Sequence, residues 1–148
     1  MAFRADVISR LTGDTAIQSY CGSGSTARVF SVVRPAYKAG VTLTTGNCIV
    51  VRRLSSTPGH DLSNGDGWDD GRFEIRCISS QLTTADSMAE AVRQRLQGES
   101  GTWGSSTIHS VMFDDEADDY QFLGNGEEVG EYHVVLIYRI IRELTVPT

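Results

Sequence analysis

Three groups of residues have types and spacings that invite chemistry. The first is DDEADD, residues 114–119, inside a stretch 114–131 that holds eight acidic residues and no lysine or arginine. Clustered carboxylates bind divalent cations, and paired ones exchange protons. Five acids in six consecutive positions cannot all face one site. A solvated face or acidic rim built from Asp114, Asp115, Glu116, Asp118 and Asp119 is therefore the favoured reading, with a cation-binding segment as the alternative. The second group is DLSNGDGWDD, residues 61–70. An EF-hand loop requires oxygen ligands at positions 1, 3 and 5, glycine at 6 and glutamate at 12. Counted from Asp61, those last three positions are Gly65, Asp66 and Arg72, so the match fails. The third is GSGST, residues 22–26, which lacks the Lys-Ser/Thr ending of a phosphate loop; Lys38 is the chain's single lysine. His60, His109 and His133 have no metal-ligand spacing, although His109 and His133 fall in predicted strands and could be cross-strand neighbours. No nucleophile elbow links the serines, cysteines and histidines. These residues point away from catalysis, metal and cofactor, and towards a structural or binding role.

The elements that must position these residues follow from periodicity. RFEIRC, residues 72–77, alternates Phe73, Ile75 and Cys77 against Arg72, Glu74 and Arg76, the pattern of a half-buried strand. A polar turn follows. Ala85, Met88, Ala89, Val92 and Leu96 then fall on one helical stripe, with Thr83 as the expected cap, Asp86 in the first turn and Gly98 past the end. Phe3, Val7, Ile8 and Leu11 predict a short first helix, with a further helical turn around residues 14–20. Strands are predicted over residues 27–33, 47–54, 107–113 and 131–144. Residues 55–70 contain three glycines and a proline and read as a long, aperiodic loop; residues 99–105 read as a loop carrying Trp103. The order predicts an α+β fold, a small and mostly antiparallel sheet with helices packed on one face and long extended loops.

A chain of 148 residues is one domain, large enough to bury about 70% of its unfolded surface without a metal or disulfide. Cys21, Cys48 and Cys77 are odd in number and widely spaced, which fits reduced, buried cysteines in a cytoplasm. No apolar run reaches the ~20 residues of a membrane span, and the first ten residues lack a signal-peptide core. The eight acids of 114–131 outweigh the net charge of −6, so the rest of the chain carries +2. With no clustered basic patch to release counterions, direct, tight binding to DNA phosphates is disfavoured.

The last predicted strand is apolar on both faces. Tyr132, Val134, Leu136, Tyr138 and Ile140 line one, and His133, Val135, Ile137, Arg139 and Ile141 the other. An open one-faced sheet should be polar outside. Either a loop or another subunit covers the second face, which makes His133, Val135, Ile137 and Arg139 candidate interface residues. Trp68 and Trp103 lie in predicted loops; packing on their own domain is the favoured reading, and as the alternative they join the interface candidates, because aromatic side chains are enriched at interfaces.

Four blocks together resemble the small tail-terminator (tail-completion, neck) proteins of long-tailed bacteriophages. They are VISRL at 7–11, RVFSVVRP at 28–35, the strand–turn–helix RFEIRCISSQLTTADSMAEAVRQRLQG at 72–98, and EYHVVLIYRIIRE at 131–143. The resemblance implies a virion protein assembled in a bacterial cytoplasm. It would form a homo-oligomeric ring of six subunits at the head-proximal end of the tail tube. The ring would stop tube polymerisation, contact the tube protein and the head-completion protein, and pass DNA through its lumen without specific binding. No cofactor is implied. A different head–tail connector ring is the alternative within the same class.

Overall fold

The computed structural model describes residues 3–24, 27–32, 47–60, 67–97, 99–122 and 130–144, and the side chains of residues 57–60, 122 and 144 are outside that description. The elements run α1 Phe3–Thr12, α2 Thr15–Cys21, β1 Val29–Ser31, β2 Cys48–His60, β3 Gly67–Ser79, α3 Leu82–Leu96, β4 Gly101–Trp103, β5 Ser106–Phe122 and β6 Gly130–Leu144. The strands form one sheet in the order β1-β2-β3-β6-β5-β4. The α+β expectation holds, but the sheet is mixed rather than mostly antiparallel in design, because β1 enters parallel to β2. The remaining neighbours pair antiparallel.

One face of the sheet is dry. Phe73, Ile75 and Cys77 of β3 point to the same side as Ile49 and Val51 of β2 and Val134, Leu136, Tyr138 and Ile140 of β6. Onto them pack Phe3, Val7 and Leu11 of α1 and the stripe Ala85, Met88, Ala89, Val92 and Leu96 of α3, all within one cluster. Burying each large apolar side chain there contributes roughly 1.5–3 kcal/mol before entropy is subtracted. The three cysteines are buried and none is in a disulfide, and burial pushes the Cys21 thiol up to about 12.

Caps refine the helix boundaries. Asp14 caps α2 by accepting from the Ile17 amide at 3.2 Å. Thr83 does not cap α3: the helix starts at Leu82 behind Gln81, which makes no side-chain cap bond, and Asp86 falls beyond the first turn. Ser79 Oγ instead accepts from the Gln81 amide at 3.2 Å. Gly98 lies outside the described residues.

The expected loop at residues 55–70 is largely sheet. β2 continues to His60 and β3 begins at Gly67, paired from Ser55↔Arg72 to His60↔Gly67, with a register shift between Arg53 and Ser55. Residues 61–66 lie outside the described residues. β6 pairs β3 along the same length, from Gly67↔Leu144 to Ser79↔Tyr132. That second ladder explains how a glycine-rich stretch stays extended: tertiary pairing overrides weak local preference. The acidic segment likewise prolongs its strand, since β5 pairs β6 up to Phe122↔Gly130. The expected loop around Trp103 contains β4, hairpinned onto β5.

Candidate interaction surfaces

The face opposite the helices carries a charged lattice built from the alternation of β3. Arg72, Glu74 and Arg76 stand on it, beside Arg139, Ile137, Val135 and His133 of β6. Arg52 of β2 lies directly across from Glu74 and donates to it at 2.7 Å. Glu74 also accepts from Arg76 Nε at 2.9 Å. Arg76 reaches Asp119 of β5 at 3.3 Å and His133 Nδ1 at 3.0 Å. A guanidinium only donates, so Nδ1 accepts and the proton sits on Nε2, which faces Glu131 at 3.3 Å. His133 is thereby held neutral, its pKa lowered from 6.5 chiefly by burial and further by the Arg76 charge, against the opposing pull of Glu131. Farther along, Arg72 pairs with Asp114 at 2.9 Å, and Arg139 Nε donates to Asp70 at 2.8 Å.

The sheet curls so that Val32, at the end of β1, and Asp119 and Gln121 of β5 border one cleft of about 380 Å³. Its floor is the Arg52–Glu74–Arg76–His133 row, with Val50 and Ile78 at one end. Phe30 and Cys48 join those two in a small second apolar cluster. Val32 sits at φ 71°, a costly conformation for a β-branched residue.

The second surface is β5 itself. From Met112 to Gln121 every residue is exposed. Met112, Phe113 and Tyr120 are 40%, 44% and 47% exposed, high values for large apolar side chains in a strand. Among the described residues no strand lies beyond β5 after Ile108, where β4 ends its pairing. Carboxylates alternate along it: Asp115 and Asp119 share the lattice face, opposite Ile137 and His133, while Glu116 points to the helix side and pairs with Arg93 of α3. Asp115 and Asp118 have no ion-pair partner among the described residues. No group of three or more His, Cys, Asp or Glu among the described residues converges as a metal site.

The sequence-predicted interface residues divide. His133 and Val135 are buried within the chain, 3% and 8% exposed. Ile137 is half-buried and Arg139 exposed. Trp68 is exposed at 46% on β3. Trp103 is not on a loop surface: it is buried in the main core, with Arg10 stacked 5.6 Å from its ring. His109 and His133 are not neighbours either, because His133 sits across from Asp119 and His109 falls at a register shift. Sequence reasoning missed Arg52, Glu74, Arg76 and Glu131 as one network. The Arg72-Glu74-Arg76 alternation was the available signal; their partners lie on other strands.

A further polar cluster locks the opposite end. Asp6 of α1 accepts from the Ser105 amide at 3.2 Å, Ser105 Oγ at 2.9 Å and Ser106 Oγ at 2.5 Å. Burial alone would raise its carboxyl, but these bonds and the Arg142 charge hold it below 3.8. Arg142 bridges Ser106 and the buried Asp69 at 3.1 Å each, with its guanidinium 4.3 Å from the Phe3 ring.

No family model matches the sequence, and no curated protein matches it. A solved chain from the virion of a native gene transfer agent particle shares the fold, at 18% identity and a TM-score of 0.66, covering 96% of this chain and 95% of that one. A second solved chain aligns over 99% of both at 10% identity, with a TM-score of 0.45. Among the described residues no helix is long and apolar enough to cross a membrane.

Proposed function

We propose that this chain is a structural protein of a phage-like virion, forming a ring at the head-proximal end of the tail tube. The observation that carries the reading is the end-to-end fold shared with a chain of a gene transfer agent virion. The four sequence blocks that resemble tail terminators supply its finer position, with six subunits, a tube protein on one side and a head-completion protein on the other. The surfaces are compatible with that role. A ring grows from head-to-tail contacts between two different patches on each copy. The chain presents a long exposed strand at one side of its sheet and a charged lattice across the face away from the helices. A carboxylate-bearing surface such as β5 would repel DNA phosphates, letting a polymer slide through a lumen. Acting by assembly, the protein requires no catalytic group and no cofactor.

Negative-stain electron microscopy of the concentrated protein, alone and mixed with tail tube protein, tests this. Six-fold rings with a central hole, or caps on tube ends, are the expected result. Protein that forms neither, and leaves tube length unchanged, overturns it.

A further inference from the structure

The two sides of the sheet end in exposed strands of opposite charge. On one side, β1 pairs β2 only from Ile49 to Val51, so among the described residues no strand lies outside β2 from Arg52 onward. Residues 52–56 are all exposed there, and they include Arg52 and Arg53. On the other side is β5, exposed from Met112 to Gln121 and carrying five carboxylates. Unpaired strand edges are templates for a further strand.

We infer that β5 of one copy adds to the outer edge of β2 in a second copy, at residues 52–57, extending one sheet from subunit to subunit. Three observations carry this. First, direction: β2-β3-β6-β5 alternate antiparallel, so β2 and β5 run oppositely, and a copy related by rotation about an axis along the strands meets its neighbour antiparallel. Second, level: Arg52 is paired with Glu74, Glu74 with Ile137, and Ile137 with Asp115, so Arg52 and Asp115 occupy one row and one face at opposite edges. In the unstaggered register Arg52 faces Asp115; a stagger of two residues places Arg53 opposite Glu116, and a stagger of four places Arg52 opposite Asp119 and Arg53 opposite Asp118. Third, unmet charge: Arg53, Asp115 and Asp118 have no ion-pair partner within the chain among the described residues. Pro58, lacking an amide hydrogen, marks where such pairing along β2 stops. The exposed Met112, Phe113 and Tyr120 beside Leu54 supply apolar area to the same joint. The contact is heterologous, joining one edge to a different edge, as a ring requires.

This inference names the subunit contact of the ring proposed above and rests on that reading for its closure. Two variants of the full chain test it: Arg53→Glu, and Asp115→Arg combined with Asp118→Arg. Because these residues lack internal ion pairs, both variants should keep the wild-type circular dichroism and melting temperature. Light scattering on a concentration series reads assembly. The expected result is oligomeric wild type, each variant alone with its dissociation constant raised at least tenfold, and recovery of wild-type mass in an equimolar mixture. Recovery follows because the reversed β2 edge of one variant meets the reversed β5 edge of the other. Variants that assemble as well as wild type overturn the edge contact and leave the ring reading standing, as does a mixture that fails to recover. Wild type that stays monomeric at every concentration overturns the second-copy assignment and leaves the edge to a different protein.

Discussion

His133 shows how one residue in this chain joins two types of argument. Its ring sits between a cation that only donates, Arg76, and an anion, Glu131, so one tautomer satisfies both. Protonating it would turn Nδ1 into a second donor facing Arg76. The folded pKa lies below 6.5, first because of burial and then because of Arg76. The unfolded chain therefore binds a proton before the folded one does. Stability is complete above about pH 6.5 and falls as pH drops through that value towards the folded pKa. Melting temperature is expected to decline between pH 7 and 5, and His133→Gln should flatten that decline, measured by thermal melts across the range. An unchanged slope in the variant would assign the decline to other groups. In the sequence, His133 was legible as a strand residue on the less apolar face. Its partners were not, because Arg76 lies 57 positions away and reaches it only through the β3–β6 ladder.

At the scale of elements, the β2–β3 ribbon separates local from tertiary causes. Pro58, Gly59, Gly65 and Gly67 each weaken strand propensity, and together they make residues 55–70 read as a loop. Pairing with β6 restores the strand. Gly71 has a specific reason to be there. A Cβ at this position would lie 2.6 Å from Cε2 of Phe73 and 2.7 Å from Cε2 of Phe3, whose rings meet edge-to-face at 4.8 Å. The glycine is where α1 comes down on the sheet. Gly71→Ala is expected to cost about 1–3 kcal/mol through forced repacking, read as a lower denaturant midpoint with unchanged slope. Helices α1 and α3 were legible because 3.6-residue periodicity is a local signal. The start of α3 was misplaced by two residues, since a Thr near a helix start is a cap by prior but Ser79 holds the turn here.

Across the whole molecule, charge is segregated: an acidic β5 on one edge, arginines on the other and across the lattice face. The pairs Arg72–Asp114 and Arg76–Asp119 involve exposed or half-exposed groups, each worth about 0–1 kcal/mol. Replacing Asp114, Asp115, Asp118 and Asp119 together with asparagine should therefore shift the melting temperature by only a few degrees. Assembly into rings or onto tube ends is expected to fall sharply, measured by particle counts in micrographs. Intact assembly in that variant would remove the acidic strand from the proposed role.

By itself the sequence determined the helices, the dry face of the sheet, the local acidity and the absence of a recognised catalytic motif. Each is written in periodicity or composition over a few turns of chain. Tertiary structure alone decided that β1 enters parallel, that residues 55–60 and 67–70 extend the sheet, and that Trp103 is core. It also decided that Arg52, Glu74, Arg76 and His133 form one row. Those outcomes depend on which strand lies beside which, a choice made by long-range pairing energy that no short window of residues contains.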